Sequence, residues 1–219
     1  MFMSKVSLLS TKMLSLEQRM LLENHNFNVT EYNAITIDSF SVKKKSSFKN
    51  VIVTSQNAAR ILIQNSIQIE NIFCVGEKTK SLFIANKYNV KEVSENAISL
   101  ANLIVKSYRE YSFVFFCGNL RRVELPELLL KEKILFSEEI IYNTNLNVCQ
   151  FDVCFDAVLF FSPSGVRSFI KNNNISNSVA FCIGKTTEDF AKKYALKTVK
   201  ATNTSIDATL KSLIDYFKA

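Results

Sequence analysis

The stretch "AVLFFSPSGVRSFI" (157–170) runs apolar for five residues, meets a hydroxyl, a Pro and a Gly, and then shifts to helical spacing. A second stretch, "NVIVTSQNAARIL" (50–62), has the same shape, with Ser55 standing where Ser162 does and Arg60 and Arg167 each five residues further on. An apolar run that ends in turn residues and passes into a 3.6-residue period reads as a strand feeding a helix, the building unit of parallel α/β sheets. The likeness continues downstream. Ser55 is followed after 21 residues by Gly76 in "IFCVGEKT", and Ser162 after 22 residues by Gly184 in "AFCIGKTT". A looser pair matches "VSLLSTKMLSLEQRMLLENHNFNVTEYNAI" with "FVFFCGNLRRVELPELLLKEKILFSEEIIY". The order is A-B-A′-B′, which predicts two similar parallel-sheet α/β domains in one chain.

Ten strands follow from the pattern: 5–10, 28–37, 50–55, 72–76, 89–93, 112–118, 136–144, 157–162, 179–184 and 196–201. Helical patterns lie between them, such as 15–26 and 186–195. All four glycines, at 76, 118, 165 and 184, end or closely follow an apolar run. Gly at a strand end permits a tight turn and lets a ligand approach the backbone. Ligands of open α/β sheets bind outside the carboxyl ends of strands, where the N–H groups of the following helices face anions. Ser55, Thr79, Ser162, Ser164, Thr186 and Thr187 all fall at such ends. Any one of them taken alone is better explained as a helix cap, but their recurrence in both halves favours a shared anion-binding cleft.

At 219 residues and 47% apolar, the chain has material for one large core or two smaller ones. No apolar run reaches the roughly 18–20 residues of a membrane span, and "MFMSKVSLLS" lacks a signal-like pattern, so a cytoplasmic protein without membrane contact is expected. The five cysteines, at 74, 117, 149, 154 and 182, form no CxxC pair and lie mostly in apolar runs, which predicts buried free thiols. A single histidine, His25, removes any triad that needs a second one, and most zinc sites; no metal is expected. The net charge of +7 is scattered, with "KKK" (43–45) the only run and no zinc-finger or RNA-binding signature beside it. Its first reading is Lys-rich solvated faces; a polyanionic small molecule would also suit it, and no nucleic-acid partner is expected.

Several motifs fail. "GKTT" (184–187) lacks the earlier Gly of a phosphate loop, since position 179 is Val. Neither a dinucleotide fingerprint nor a nucleophile elbow occurs, and no pair of catalytic carboxylates can be singled out. The most specific stretch is "CGNLRRVELPELL" (117–129): Gly118 and Asn119 make a turn, and Arg121 and Arg122 follow at the strand mouth, where bidentate guanidinium groups can grip carboxylates. Glu77 and Pro126 read as helix-start residues. The residues alone leave two readings open, an enzyme and a two-domain binding protein that closes on an anionic ligand without chemistry.

Taken in order, "VTSQNA" (53–58), "CVGEKT" (74–79), "CGNLRRVELP" (117–126), "IIYNT" (140–144), "FFSPSGV" (160–166) and "CIGKTT" (182–187) resemble the uroporphyrinogen-III synthase family. One departure stands at Gln56 and Asn57, where the family often has Pro after the Ser. The resemblance implies two α/β domains joined by a two-stranded linker, with the active site in the interdomain cleft. It implies a discontinuous domain of residues 1–34 plus 144–219, an insertion at 38–138, and linker strands at 35–37 and 139–143, in the neighbourhood of "TEYNAI" (30–35) and "EIIYNT" (139–144). It also implies cofactor-free cyclisation of hydroxymethylbilane, a linear tetrapyrrole handed over by hydroxymethylbilane synthase, by a monomer. Substrate contacts would come from Ser55, Gln56, Asn57, Thr79, Gly118, Asn119, Arg121, Ser162, Pro163, Ser164, Gly165, Lys185, Thr186 and Thr187. Tyr142 would donate a proton to the departing hydroxyl, facing the cleft from a linker strand.

Overall fold

The computed structural model describes residues 5–40, 42 and 47–218; the "KKK" run lies outside them. By internal contacts the chain divides into two compact units, Met1–Thr36 with Asn145–Ala219, and Ile37–Thr144. Each holds its own sheet, parallel throughout in the first and parallel but for one edge strand in the second.

The first unit contains β1 (Val6–Ser10), β2 (Phe27–Glu31), β9 (Ala157–Phe160), β10 (Val179–Cys182) and β11 (Lys197–Lys200), in the spatial order β11-β10-β9-β1-β2. Renumbered within the unit, that is 2-1-3-4-5, a doubly wound order in which the connection reverses between β1 and β9. Alternation along the strands loads both faces. Leu9, Val158, Phe160, Ala180 and Cys182 pack against α6 (Pro163–Phe169) and α7 (Lys185–Ala191). Leu8, Ala157, Leu159 and Phe181 face α1 (Leu16–Asn24) and α8 (Ile206–Lys218). A parallel sheet covered on both faces needs such continuous apolar runs, which is why "AVLF" is wholly buried.

The second unit contains β4 (Phe48–Val53), β5 (Ile69–Val75), β6 (Val90–Ser94) and β7 (Ser112–Gly118), with β8 (Leu135–Leu146) and β3 (Ile35–Ser39) at one edge. The order is β3-β8-β7-β4-β5-β6. Without β3 the five parallel strands read 3-2-1-4-5 outward from β4, and the reversal falls between β4 and β7. One face packs Val51, Val53, Ile72 and Phe116 on α2 (Gln56–Gln64) and α3 (Glu77–Ala85). The other packs Ile52, Phe73 and Phe115 on α4 (Ala97–Ser107) and α5 (Glu124–Lys131). The two units are therefore one architecture in two chain orders. The A and B′ segments build the first and the B and A′ segments the second, so each unit is a circular permutation of the other.

The stretch 28–37, expected as one strand, is two. Ala34 N–H donates to Thr11 O (3.1 Å) and Asn33 O accepts from Asn147 Nδ2 (2.7 Å), which takes the backbone out of the first sheet after Glu31 and starts β3 at Ile35. Phe40 N–H bonds Ile141 O and Asn147 N–H bonds Ala34 O, both at 2.9 Å, so the partners run in opposite directions and β3 is antiparallel to β8. The unit boundaries fall inside these two strands. Among the described residues no helix is long and apolar enough to cross a membrane.

Candidate functional site

Four strand-to-helix turns follow one plan. The strands β4 and β9 lead to Ser55 and Ser162, each an N-cap in extended conformation; Ser55 Oγ accepts from Ala58 N (3.0 Å) and Ser162 Oγ from Gly165 N (3.1 Å). The strands β5 and β10 lead to Gly76 and Gly184, which cap α3 and α7 with no side-chain bond. Gly76 sits at φ +84°, a left-handed conformation that costs a side chain dearly. The serine caps each bind a first-turn N–H through their own hydroxyl, whereas Gly76 and Gly184 bring no side chain to do so.

Position in the first helical turn decides what each unit presents. The third helical residue is turned inward in all four cases: Ala58, Thr79, Gly165 and Thr187 are buried. Thr79 and Thr187, at 3% exposure, thus pack under their helices rather than offering hydroxyls to a ligand. Gly165 answers to packing as well. A Cβ there would stand 3.3 Å from Thr11 Oγ1, and its N–H is already bound to Ser162. The first two residues are the presented ones: Gln56 and Asn57, Pro163 and Ser164 are half-buried, and Lys185 and Thr186 are exposed. Pro163 opens α6, where its missing N–H has no intrahelical partner to lose. Lys185 Nζ pairs with Asp189 Oδ1 at 2.5 Å on its own helix, which raises its pKa.

The β4–β7 reversal of the second unit carries the densest polar arrangement. Tyr142, on β8, reaches across the end of β7 and places its hydroxyl 2.9 Å from Ser55 Oγ. It does so because Gly118 has no side chain: a Cβ there would overlap Tyr142 Cε2 and Cζ and come within 2.8 Å of the hydroxyl. The expectation of a ring standing clear of either core is corrected. Tyr142 is 7% exposed and packs with Phe48, Val53, Ala58 and Phe116 in the second unit's core. Burial raises the pKa of the phenol, against a smaller opposing effect of Ser55. Asn119 stitches the same strand end, taking Thr144 N–H on its Oδ1 (2.8 Å) and donating its own N–H to Tyr142 O (3.2 Å).

Arg121 does not stand open at the strand mouth. Its guanidinium forks onto Glu138 of β8, Nε to Oε2 and Nη2 to Oε1 (2.9 Å), a bidentate pair that raises its pKa. Glu138 was not singled out from sequence. The signal for it was the run "FSEEII", whose alternation puts one glutamate of the two on the face toward the "GNLRR" turn. Thr11 was also missed. It closes the corresponding strand end in the first unit, where its Oγ1 donates to Leu159 O at 2.7 Å. Its hydroxyl follows an apolar run just as Ser55 and Ser162 do, but without the helix start that made those two conspicuous.

All five cysteines are free: Cys74, Cys117 and Cys182 are buried, while Cys149 is half-buried and Cys154 exposed. Among the described residues no group of three or more His, Cys, Asp or Glu is placed to hold a metal ion.

The family model of uroporphyrinogen-III synthase HemD matches residues 17–211, most of the chain. Among solved structures, the uroporphyrinogen-III synthetase of Helicobacter pylori is similar in fold, with a TM-score of 0.73 at 14% identity, covering 96% of this chain and 99% of that one. A mutant uroporphyrinogen III synthase of Thermus thermophilus is likewise similar, with a TM-score of 0.69 at 11% identity and 97% and 98% coverage. Among curated proteins no sequence is significantly similar. The match spans all four strand-to-helix turns and the Tyr142 strand, so the chain belongs to the uroporphyrinogen-III synthase family.

Proposed function

We propose that this chain cyclises hydroxymethylbilane to uroporphyrinogen III, expelling water from the terminal hydroxymethyl group and inverting the last pyrrole ring before closure. The observation that carries this reading is the family match over residues 17–211, which takes in every turn described above. A family member of this kind is a cyclising lyase of haem biosynthesis.

The chemistry asks for grip and shape more than for a nucleophile. The bilane bears eight carboxylates, and a net charge of +7 draws such a polyanion. Gln56, Asn57, Ser164, Lys185 and Thr186 are the first-turn residues that meet carboxylates, together with the backbone N–H groups beside them. Ser162, Pro163, Gly165, Thr79 and Thr187 act by shaping those turns. Gly118, Asn119 and the Arg121–Glu138 pair hold the strand end on which Tyr142 and Ser55 meet, and that pair of hydroxyls supplies the proton for the departing water. Bringing the two ends of a flexible bilane together is positioning catalysis, which converts a loose encounter into an oriented one. The enzyme works as a cytoplasmic monomer that takes the unstable bilane from hydroxymethylbilane synthase.

The test is to generate the bilane with hydroxymethylbilane synthase, add the purified protein, and resolve the product isomers by chromatography. Isomer III in place of the isomer I formed by spontaneous closure supports the reading. Isomer I alone, from well-folded protein, overturns it.

A further inference from the structure

We propose that Ser55, rather than Tyr142, is the group that donates to the leaving hydroxyl, and that Tyr142 is a positioning residue acting through it. This rests on the reading of the chain as the bilane-cyclising enzyme.

Hydrogen-bond accounting sets the direction. Tyr142 is nine-tenths buried, and among the described residues its hydroxyl has one hydrogen-bond partner, Ser55 Oγ at 2.9 Å. The distance fits either oxygen as donor, and we assign the proton to the phenol, because a buried Tyr142 O–H has no other acceptor among the described residues. Ser55 Oγ also accepts the Ala58 N–H at 3.0 Å. A serine oxygen has two lone pairs, and both are then filled. The one function left to Ser55 is its own proton, directed away from both donors. Two bonds received also polarise the O–H that remains and strengthen it as a donor.

Placement points the same way. Ser55 is half-buried where Tyr142 is buried, so it is the more accessible of the two. It stands at the carboxyl end of β4, beside the β4–β7 reversal where ligands of doubly wound sheets bind. Gly118 is what allows the arrangement, because any side chain there would displace the ring that holds Ser55.

The step balances. The terminal C–O bond breaks with its electron pair remaining on oxygen, which takes the Ser55 proton and leaves as water. The Ser55 oxygen left behind is held by the two donors it already accepts from, Tyr142 O–H and Ala58 N–H. The resulting pyrrole-stabilised cation is taken by the substituted α-carbon of the terminal ring, and the original bridge bond to that carbon then breaks and leaves a cation on the bridge carbon. That cation closes on the ring's free α-carbon, whose proton returns to Ser55 as the ring regains aromaticity.

The experiment compares single-turnover rates and isomer ratios for the wild-type protein, Ser55→Ala, Ser55→Thr, Tyr142→Phe and the double variant, with bilane as substrate. Ser55→Ala should slow closure to isomer III by about 10–100-fold, below the ~10²–10⁴-fold usual for positioned proton donors because water can partly substitute. Ser55→Thr, which keeps the hydroxyl, should restore the rate to within about threefold of wild type, since it removes no bond of the array. Tyr142→Phe should lower the rate by about three- to tenfold with KM unchanged, the effect of one neutral hydrogen bond. The double variant should be no slower than Ser55→Ala, because Tyr142 has nothing left to act through. If Ser55→Ala loses its fold with its helix cap, Ser55→Gly replaces it, since Gly caps nearly as well and also lacks the hydroxyl. Full activity in folded Ser55→Ala or Ser55→Gly, a Tyr142→Phe loss larger than that of Ser55→Ala, or multiplied losses in the double variant would each overturn the proposal. A wild-type protein that yields isomer I alone would instead overturn the function beneath it.

Discussion

Gly118 and Tyr142 make one fitted pair: the glycine has given up a side chain so that a ring can lie on its Cα. Gly118→Ala forces the phenol off Ser55 or bends the end of β7. Overpacking of this kind costs about 1–3 kcal/mol, which urea unfolding should detect. Arg121 makes a different case. Its fork onto Glu138 is half-shielded from water, and Lys cannot reproduce two parallel bonds. Arg121→Lys should therefore lower stability by about 1–2 kcal/mol while leaving KM for the bilane near its wild-type value. A tenfold rise in KM at unchanged stability would show instead that the guanidinium grips substrate. That Arg121 belongs to the strand mouth was legible from "GNLRR"; that it is already occupied was not. Its partner lies 17 residues away on the next strand, and only the register of β7 on β8 brings the two together.

At the level of elements, the chain is sparing with glycine and carries the consequence at its helix ends. Besides Asn26 after α1, three helices finish with a non-glycine residue in the left-handed region: Ser66 at φ 51°, Lys87 at 62° and Lys133 at 59°. Each lies in the same doubly hydrogen-bonded terminus. For α3, Lys87 N–H donates to Ile84 O and Tyr88 N–H to Phe83 O, both at 3.0 Å. The left-handed conformation costs a side chain about 1–2 kcal/mol, of which glycine's greater unfolded-state freedom takes back about 0.5–1. Lys87→Gly and Lys133→Gly should each stabilise the protein by about 0.5–1 kcal/mol in thermal or urea unfolding. No gain would mean that the lysine side chains make compensating contacts. Strands and helices were themselves legible, because buried parallel strands are unbroken apolar runs. The split between β2 and β3 was not. "TEYNAI" has no Gly or Pro, and the break is made by hydrogen bonds to Thr11 and Asn147, distant in sequence. The inward turn of Thr79 and Thr187 was hidden for a related reason. A hydroxyl at a strand end looks the same in sequence whether it is the first or the third residue of the helix, and one residue's rotation decides which side faces the sheet.

For the molecule as a whole, titration and thiol chemistry report on the two cores. Burial pushes Tyr32 up to about 12 from an ordinary 10.0, and a hydrogen bond to Glu92 does the same for Tyr108. Burial likewise lifts Cys74 and Cys117 to about 11 and Cys182 to about 12 from 9.0. Above these ordinary values the folded chain keeps protons that the unfolded chain has released, so stability must fall as pH rises. The loss should begin near pH 9.0, where free thiols ionise, steepen past 10.0, and continue to about 12. Below that window these groups leave the melting temperature unchanged. A thiol reagent at neutral pH should label Cys149 and Cys154 in the native protein and reach Cys74, Cys117 and Cys182 only on unfolding. The A-B-A′-B′ repeat was visible in the residues, since strand and turn chemistry repeat together. Which copies share a sheet was not, because pairing partners in a permuted fold lie more than a hundred residues apart, as Leu9 and Val158 do.

Ring inversion itself is the most direct measure of the central claim. A bilane carrying an isotopic label in its terminal pyrrole ring is mixed with excess enzyme, quenched after one turnover, and the product read by nuclear magnetic resonance. If the two hydroxyls at the β4–β7 reversal release water and the fold holds the chain ends for closure, the labelled ring appears with its acetate and propionate groups in reversed order. A labelled ring joined in the original order, at the rate of the enzyme-free reaction, would contradict it.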